Sequence, residues 1–386
     1  MATKVVVLGA GYAGAGTVKD LQKQLGQGIE LTWVADVDYH LVLHESHRVI
    51  RDPSVQHKIT IPVGEIADPG TEFVRGEVTG LDTDERVVEV DDGETTVDYD
   101  YAVVALGSQT AYYGIPGLEE HSHTLKGLDD ALEIHEAVKN AAQDATRDDR
   151  AQVVVGGAGL SGIQSAGEIA EFRDKHRAPM DIYLVEALEE IFPPGDPEIQ
   201  GALRKRLQQN DIEILTDDPI TEAEEDAIHF DERDPIDFDV FLWTGGVTGR
   251  DAMDGVDVEN EHNRLNAEMD FQTSDERVFA LGDSAIVDQP GEHPAPPTAQ
   301  AAWQAAEVVA DNVVRAINGQ RLETWTHEDK GTVVSVGESA VAHDVYISPI
   351  DTFGGLPAKM LKKGIAARWI ADLTSYKRAW NAWDAL

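Results

Sequence analysis

The chain has 386 residues, enough for two or three domains with buried cores. Its 72 acidic residues against 31 basic ones leave a net charge of −41, a surface that repels phosphate backbones and excludes nucleic acid as a partner. There is no cysteine, which excludes disulfides, thiolate metal sites and dithiol redox shuttles.

We read the acidic excess as adaptation to concentrated salt, where crowded carboxylates are screened, and so expect a halophilic source. Met1 to Lys4 run straight into an apolar strand, leaving no room for a signal peptide, and no stretch of 18 apolar residues offers a membrane span. The expectation is a cytoplasmic chain.

Residues 4–9 read as a buried parallel strand, 13–25 as a helix and 30–36 as a second strand. Residues 72–107 read as short antiparallel strands around an Asp92-Gly93 turn. Gly127 to Asp144 has helical periodicity, and a strand–glycine–helix unit then begins again at Gln152. Its second strand ends at Glu186, and a helix follows from Pro197 to Gln209. Residues 239–247 and 276–284 are strands ending in glycine turns, and Ala299 to Asn318 is a helix. From about 325 the chain mixes strands with one last helical stretch.

The repeated unit carries the chemistry. In VVVLGAGYAGAG, Gly9, Gly11 and Gly14 have GxGxxG spacing, and in VVVGGAGLSG the pattern returns at Gly157, Gly159 and Gly162. Such a loop gives a tight turn, close backbone approach to a pyrophosphate, and a helix N-terminus aimed at the phosphates. An acid at the end of the second strand holds the ribose hydroxyls. Asp36 and Glu186 stand where that acid belongs, 22 residues beyond Gly14 and 24 beyond Gly162. A carboxylate at Glu186 favours NAD over NADP, because it repels a 2′-phosphate. One such loop alone could be an ordinary glycine turn; two, each with its strand, helix and acid, point to two dinucleotides.

ERVFALGDSA, an apolar strand ending at Gly282-Asp283, looks like the second FAD signature of two-dinucleotide flavoproteins, and ALGS at 105–108 resembles their middle motif. That resemblance assigns FAD to the first loop and NADH to the second, with hydride passing from one to the other. It becomes narrower with DYHLVL (38–43), the stretch 105–132, VVVGGAGLSGIQSAGEIAE, LWTGGV and PPTAQAAWQAA (296–306), which look like type II NADH dehydrogenases. These are single-chain FAD enzymes that pass electrons from NADH to a membrane quinone without pumping protons. The likeness runs from residue 4 to the C-terminus, and the absence of cysteine separates the chain from disulfide reductases and sulfide:quinone oxidoreductases.

The resemblance implies a fold and a site. The fold class is α/β, with two Rossmann-like dinucleotide-binding domains plus a small C-terminal α+β domain. The NAD domain (119–255) is inserted in the FAD domain (1–118 and 256–325), and 326–386 form the C-terminal unit. Gly9, Gly11, Gly14, Asp36, Gly282, Asp283, Thr298 and Ala299 would hold FAD, and Gly157, Gly159, Gly162 and Glu186 would hold NADH. Pro296 and Pro297 pre-set a helix near Thr298 whose free amides can stabilise the reduced flavin ring. Gln300 would lie beside that ring in the quinone pocket, and Lys362 near the flavin.

Two departures stand out. Most family members have a Glu, near the nicotinamide and involved in proton or quinone handling, where this chain has Gln164; Glu168, one turn later, fits a structural position. The usual FAD ribose acid corresponds to Ala35, with Asp36 shifted by one. Two other readings stay open: a soluble NADH-dependent reductase of another carrier or of oxygen, and a redox-sensing FAD protein with little turnover, which Gln164 keeps alive.

His40, His44 and His47 include an HxxxH spacing that can bind metal on one helical face, but His47 comes one residue too early for HExxH. We expect no metal and place these histidines at the surface or beside the flavin. The C-terminal segment from Pro357 reverses the charge of the rest, with Lys359, Lys362, Lys363, Arg368, Lys377 and Arg378 against Asp372 and Asp384, and it holds Trp369, Trp380 and Trp383. A basic aromatic segment suits an anionic membrane surface, placing the enzyme peripherally on the inner face of the cell membrane. The plainer reading is a packed helix paired with the acidic body, or a homodimer contact.

Overall fold

The computed structural model describes residues 2–26, 28–291, 293–346 and 348–386. Five parallel strands form the first sheet, in the order Val278–Ala280, Tyr101–Val104, Thr3–Leu8, Ile29–Ala35, Thr71–Arg75. The chain leaves this sheet, builds a second one, and comes back at Val278. The second sheet runs Ile212–Leu215, Met180–Val185, Ala151–Gly156, Val240–Trp243, again all parallel.

Val5 to Leu8 and Val153 to Val155 are buried on both faces, as an unbroken valine run requires at the centre of a parallel sheet. The expected antiparallel set at 72–107 is corrected at both ends. Thr71–Arg75 and Tyr101–Val104 join the parallel sheet, and only Val78–Asp82, Val87–Val90 and Thr95–Asp98 make the antiparallel meander. Periodicity in such short runs reports burial, not strand direction. The Asp92-Gly93 turn stands, with positive φ at Asp91, Asp92 and Gly93.

The helix Ala299–Ile317 packs on the first loop's helix, Tyr12–Gln24. A Cβ on Gly16 would meet Ala306 Cβ at 2.7 Å, so the missing side chain sets their approach. The C-terminal unit is a three-stranded antiparallel sheet (Thr332–Val336, Ser339–His343, Thr352–Gly354) followed by the helices Leu356–Leu373 and Tyr376–Ala382. One expected helix is therefore two, with Ser375 capping the second through Arg378 N.

This unit spans both cores. Val334, Val336 and Val341 pack into the core of the second sheet, and Trp369, Ile370 and Leu373 into that of the first. A Cβ on Gly167, in the helix Leu160–His176, would meet Gly337 N at 2.4 Å, so the hairpin turn of this unit seats on that helix.

Candidate active site

Both glycine loops close by one steric device. A Cβ on Gly14 would lie 2.0 Å from Gly9 O, and one on Gly162 would lie 1.9 Å from Gly157 O. Gly9 (φ 104°) and Gly157 (φ 90°) take the left-handed backbone that the turn needs. The middle glycines differ: nothing lies within 4 Å of a Cβ on Gly11 or Gly159. These two are the N-caps of the helices Tyr12–Gln24 and Leu160–His176, and neither helix has a side-chain cap. Asp196 caps Pro197–Gln209 and Thr298 caps Ala299–Ile317, while Leu356–Leu373 also starts at an uncapped glycine, Gly355, but without a parallel strand and glycine loop before it. Two helix N-termini thus keep their N–H groups free beside open space, the cradle a pyrophosphate fills, and these residues fit two dinucleotides.

The acids end their strands as expected. Asp36 is exposed directly after Ile29–Ala35. Glu186 follows Met180–Val185, and its carboxylate accepts from Ala158 N at 2.9 Å, inside the second loop, and from Leu188 N at 3.1 Å. The far-apart motifs at 105–108 and 282–283 converge, since Ser108 Oγ donates to Asp283 Oδ2 at 3.2 Å. Lys126, which the sequence reading did not single out, donates to Ser108 Oγ at 3.2 Å, and burial lowers its pKa against the opposing pull of Asp283.

At the start of the helix Ala299–Ile317, the Thr298 hydroxyl is engaged, accepting from Ala301 N at 3.2 Å. The Gln300 side chain is engaged too: it accepts from Lys330 N at 2.7 Å and donates to Gly331 O at 3.3 Å, clasping the segment that enters the C-terminal sheet.

Lys362 and Gln164, almost 200 residues apart, meet in a buried ionic cluster. Lys362 Nζ reaches Glu45 Oε1 at 2.9 Å, His44 O at 3.3 Å and His47 Nε2 at 3.4 Å. With the Gln164 amide oriented to satisfy both its ends, its oxygen accepts from Lys362 Nζ at 3.0 Å and Ser335 Oγ at 3.1 Å, and its nitrogen donates to Leu160 O. Arg48 pairs with Glu45, and Arg51 bridges Glu168 at 3.0 Å and Glu338 at 2.5 Å. Burial alone would raise the Glu45 carboxyl, but Lys362 and Arg48 hold it far below the usual range. Burial raises Glu168 to about 6 despite Arg51 and Arg48.

Glu45, Arg48, Arg51, Ser335 and Glu338 were missed by the sequence reading. The signal was present in LHESHRVIR, where Glu45 and Arg48 stand i, i+3, but the histidines drew the attention. Those histidines are not at the surface. His40 and His47 are buried, and burial pushes His40 and His44 down to about 4. They take separate partners: Ala10 O and Trp369 for His40, Tyr12 for His44, Ser335 for His47. Among the described residues one histidine–carboxylate trio gathers its ligand atoms, at Asp196, His343 and Asp344, where Asp196 already caps a helix.

The C-terminal tryptophans divide. Trp369 is 2% exposed, stacked on Tyr12 with ring centroids 4.7 Å apart, whereas Trp380 is 77% exposed. Trp369 is therefore a core residue, because the i, i+4 row Ala358, Lys362, Ala366, Ile370 turns that face inward and carries Trp369 with it.

Two parallel sheets, each feeding a helix through a glycine loop with free N-terminal amides, define the class as a protein built to hold two dinucleotides. A profile of the pyridine nucleotide-disulphide oxidoreductases matches residues 3–306. The Type II NADH:quinone oxidoreductase of Staphylococcus aureus (strain MSSA476) is 30% identical over 384 residues, covering 95% of this chain and 94% of that protein. Among solved structures, NDH2 from Plasmodium falciparum in complex with NADH superposes with a TM-score of 0.84 at 15% identity, covering 100% of this chain and 97% of the other. The sulfide:quinone oxidoreductase of Aquifex aeolicus gives 0.79 at 18% identity, covering 100% and 92%. The chain belongs to the pyridine nucleotide-disulphide oxidoreductase family, and within it to the type II NADH:quinone oxidoreductases. With no cysteine, it does so without the family's dithiol chemistry.

Proposed function

We propose that this chain is an FAD-dependent oxidoreductase that takes electrons from NADH and delivers them to a membrane quinone. The observation that carries the reading is the doubled strand–glycine–helix unit, in which Gly14 and Gly162 close their turns against Gly9 O and Gly157 O and leave the helix amides behind Gly11 and Gly159 free. The 30% likeness to a type II NADH:quinone oxidoreductase supports it. FAD, when bound, supplies the two-electron carrier between the two substrates.

The chain's own residues bind and orient. Gly9, Gly11 and Gly14 cradle the FAD pyrophosphate, Asp36 meets its ribose, and Gly282 and Asp283 close the site from the other side. Thr298 fixes the start of the helix whose first amides, from Ala299 on, face the flavin end. Gly157, Gly159 and Gly162 do the same for NADH, with Glu186 accepting from its ribose hydroxyls. Gln300, Lys362 and Gln164 border the reacting region, where Lys362 holds a proton at Nζ.

No helix among the described residues is long and apolar enough to cross a membrane, so access to a quinone calls for a surface contact. Exposed Leu356, Met360, Tyr376 and Trp380, with Lys377 beside them, suit an anionic bilayer surface on the inner face of the cell membrane. A homodimer through the same face is the competing occupant; co-flotation with anionic vesicles supports the membrane, and sedimentation as a dimer without flotation supports the second copy.

The deciding experiment is an anaerobic NADH titration of the purified protein in molar salt. One equivalent should bleach the visible absorption band of the flavin, and a short-chain quinone should restore it. A bound flavin that stays yellow overturns the reading.

A further inference from the structure

We infer that Glu45 is the counter-ion that keeps Lys362 charged, and is thereby a positioning residue for the proposed reaction. The inference rests on that reading of the site for its role, and on geometry for the pairing.

Lys362 is 4% exposed, and of the four groups around Nζ only Glu45 is anionic. Gln164 offers a neutral oxygen, His44 a backbone carbonyl and His47 a ring that burial keeps well below its ordinary pKa. A desolvated ammonium without a carboxylate gives up its proton.

The groups facing Lys362 come from three directions. His44, Glu45, His47, Arg48 and Arg51 lie on the segment after the second strand, Gln164 and Glu168 on the helix Leu160–His176, and Ser335 and Glu338 on the C-terminal hairpin. On its own helix, Lys359 pairs with Glu338, and Lys363 turns away to Trp383 O at 3.0 Å. Lys362, Arg48, Arg51 and Lys359 meet the carboxylates of Glu45, Glu168 and Glu338, so the cluster is one positive charge in excess. Glu168 and Glu338 contact arginines and Lys359 and act on Lys362 only from a distance, which leaves Glu45, shared with Arg48, as the carboxylate in direct contact with Lys362 Nζ.

The place of this proton matters. His44 pairs with Tyr12, the first residue of the helix behind Gly11, and Gln164 lies in the second turn behind Gly159. Lys362 Nζ therefore stands where the elements carrying the two dinucleotide loops come together.

The test is a double-mutant cycle on the holoenzyme: wild type, E45Q, Q164E and E45Q/Q164E. Quinone turnover is measured across pH, together with the flavin midpoint potential and the urea unfolding midpoint. E45Q should lower kcat roughly tenfold or more with little change in KM, and should move the alkaline limb of the pH profile to lower pH, because Lys362 then deprotonates more readily. E45Q/Q164E should recover most of both, and of the potential, because the new carboxylate stands where the amide oxygen lies 3.0 Å from Nζ. A loss at Glu45 that is the same with Gln or Glu at 164, or an alkaline limb that stays in place, overturns the inference.

If E45Q does not fold, the double variant must fold and retain flavin, and its failure to do so also overturns it. A wild-type protein that reduces no quinone sinks the proposed function instead. The pairing is then read from the unfolding midpoint, which must fall in E45Q and return in the double variant.

Discussion

The indole N–H of Trp369 donates to His40 Nε2 at 2.8 Å, and His40 Nδ1 donates to Ala10 O at 2.8 Å. The indole nitrogen can only donate, so the tautomer is fixed with the proton on Nδ1. A residue of the C-terminal helix thus holds the first glycine loop through one imidazole, and Trp369 also stacks on Tyr12 and meets Trp303 edge-on at 4.8 Å.

Trp369→Phe keeps most of the packing and removes the donor, leaving His40 Nε2 buried and unsatisfied. The expected cost is about 1–3 kcal/mol in urea unfolding, with faster loss of flavin on gel filtration. A variant with unchanged unfolding and flavin retention would show that the relay contributes nothing.

His40 also sets a pH dependence. Its folded pKa of about 4 lies below the ordinary 6.5, so on acidification the unfolded chain takes up this proton first. The stability it contributes is complete above about pH 6.5 and is lost as pH falls toward 4, up to about 3 kcal/mol. His44 has the same sign, whereas Glu168, raised to about 6, runs the other way, losing stability as pH rises from about 4.5 to 6. Denaturant titrations between pH 4 and 7 should show stability rising with pH, and His40→Gln should flatten that rise. An unchanged slope in the variant would assign the acid sensitivity elsewhere.

The middle and last glycines of a loop should fail differently. Gly11 has φ −71° and open space over its Cα, so Gly11→Ala should fold with a near wild-type unfolding midpoint yet lose FAD. Gly14→Ala drives a Cβ to within 2.0 Å of Gly9 O and should destabilise the chain itself. Flavin absorbance per protein and thermal melting separate the two. Full flavin content in Gly11→Ala would place the pyrophosphate elsewhere.

Glu186 joins two loop amides to the ribose of the proposed NADH. Glu186→Gln should raise the NADH KM by about 10–100-fold, the scale of a charge-assisted hydrogen bond, and should narrow the preference over NADPH. Stopped-flow reduction with each nucleotide measures both. An equal loss for NADH and NADPH would mean that the residue only supports the loop.

The elements proposed to bind dinucleotides were legible because their information is local. A valine run, a glycine spacing and an acid one strand later are dictated by backbone sterics and phosphate chemistry within some 35 residues, as at Val5 to Asp36 and Val153 to Glu186. The composition, likewise, removed cysteine chemistry from consideration. Strand direction was not legible: Thr71–Arg75 and Tyr101–Val104 read as members of a meander, because pairing with Ile29–Ala35 and Thr3–Leu8 is a long-range choice.

The centre of the molecule was decided by tertiary structure alone. Glu45, Gln164 and Lys362 lie on three separated segments, and nothing local indicates that a carboxylate from LHESH will meet a lysine more than 300 residues later. The same holds for Trp369, which by composition belonged with Trp380 at a surface and by helical phase belongs to the core. Sequence determines which groups can bind a phosphate or carry a charge. Only folding, by removing water from around Lys362 and Glu45, decides which of those charges depend on one another.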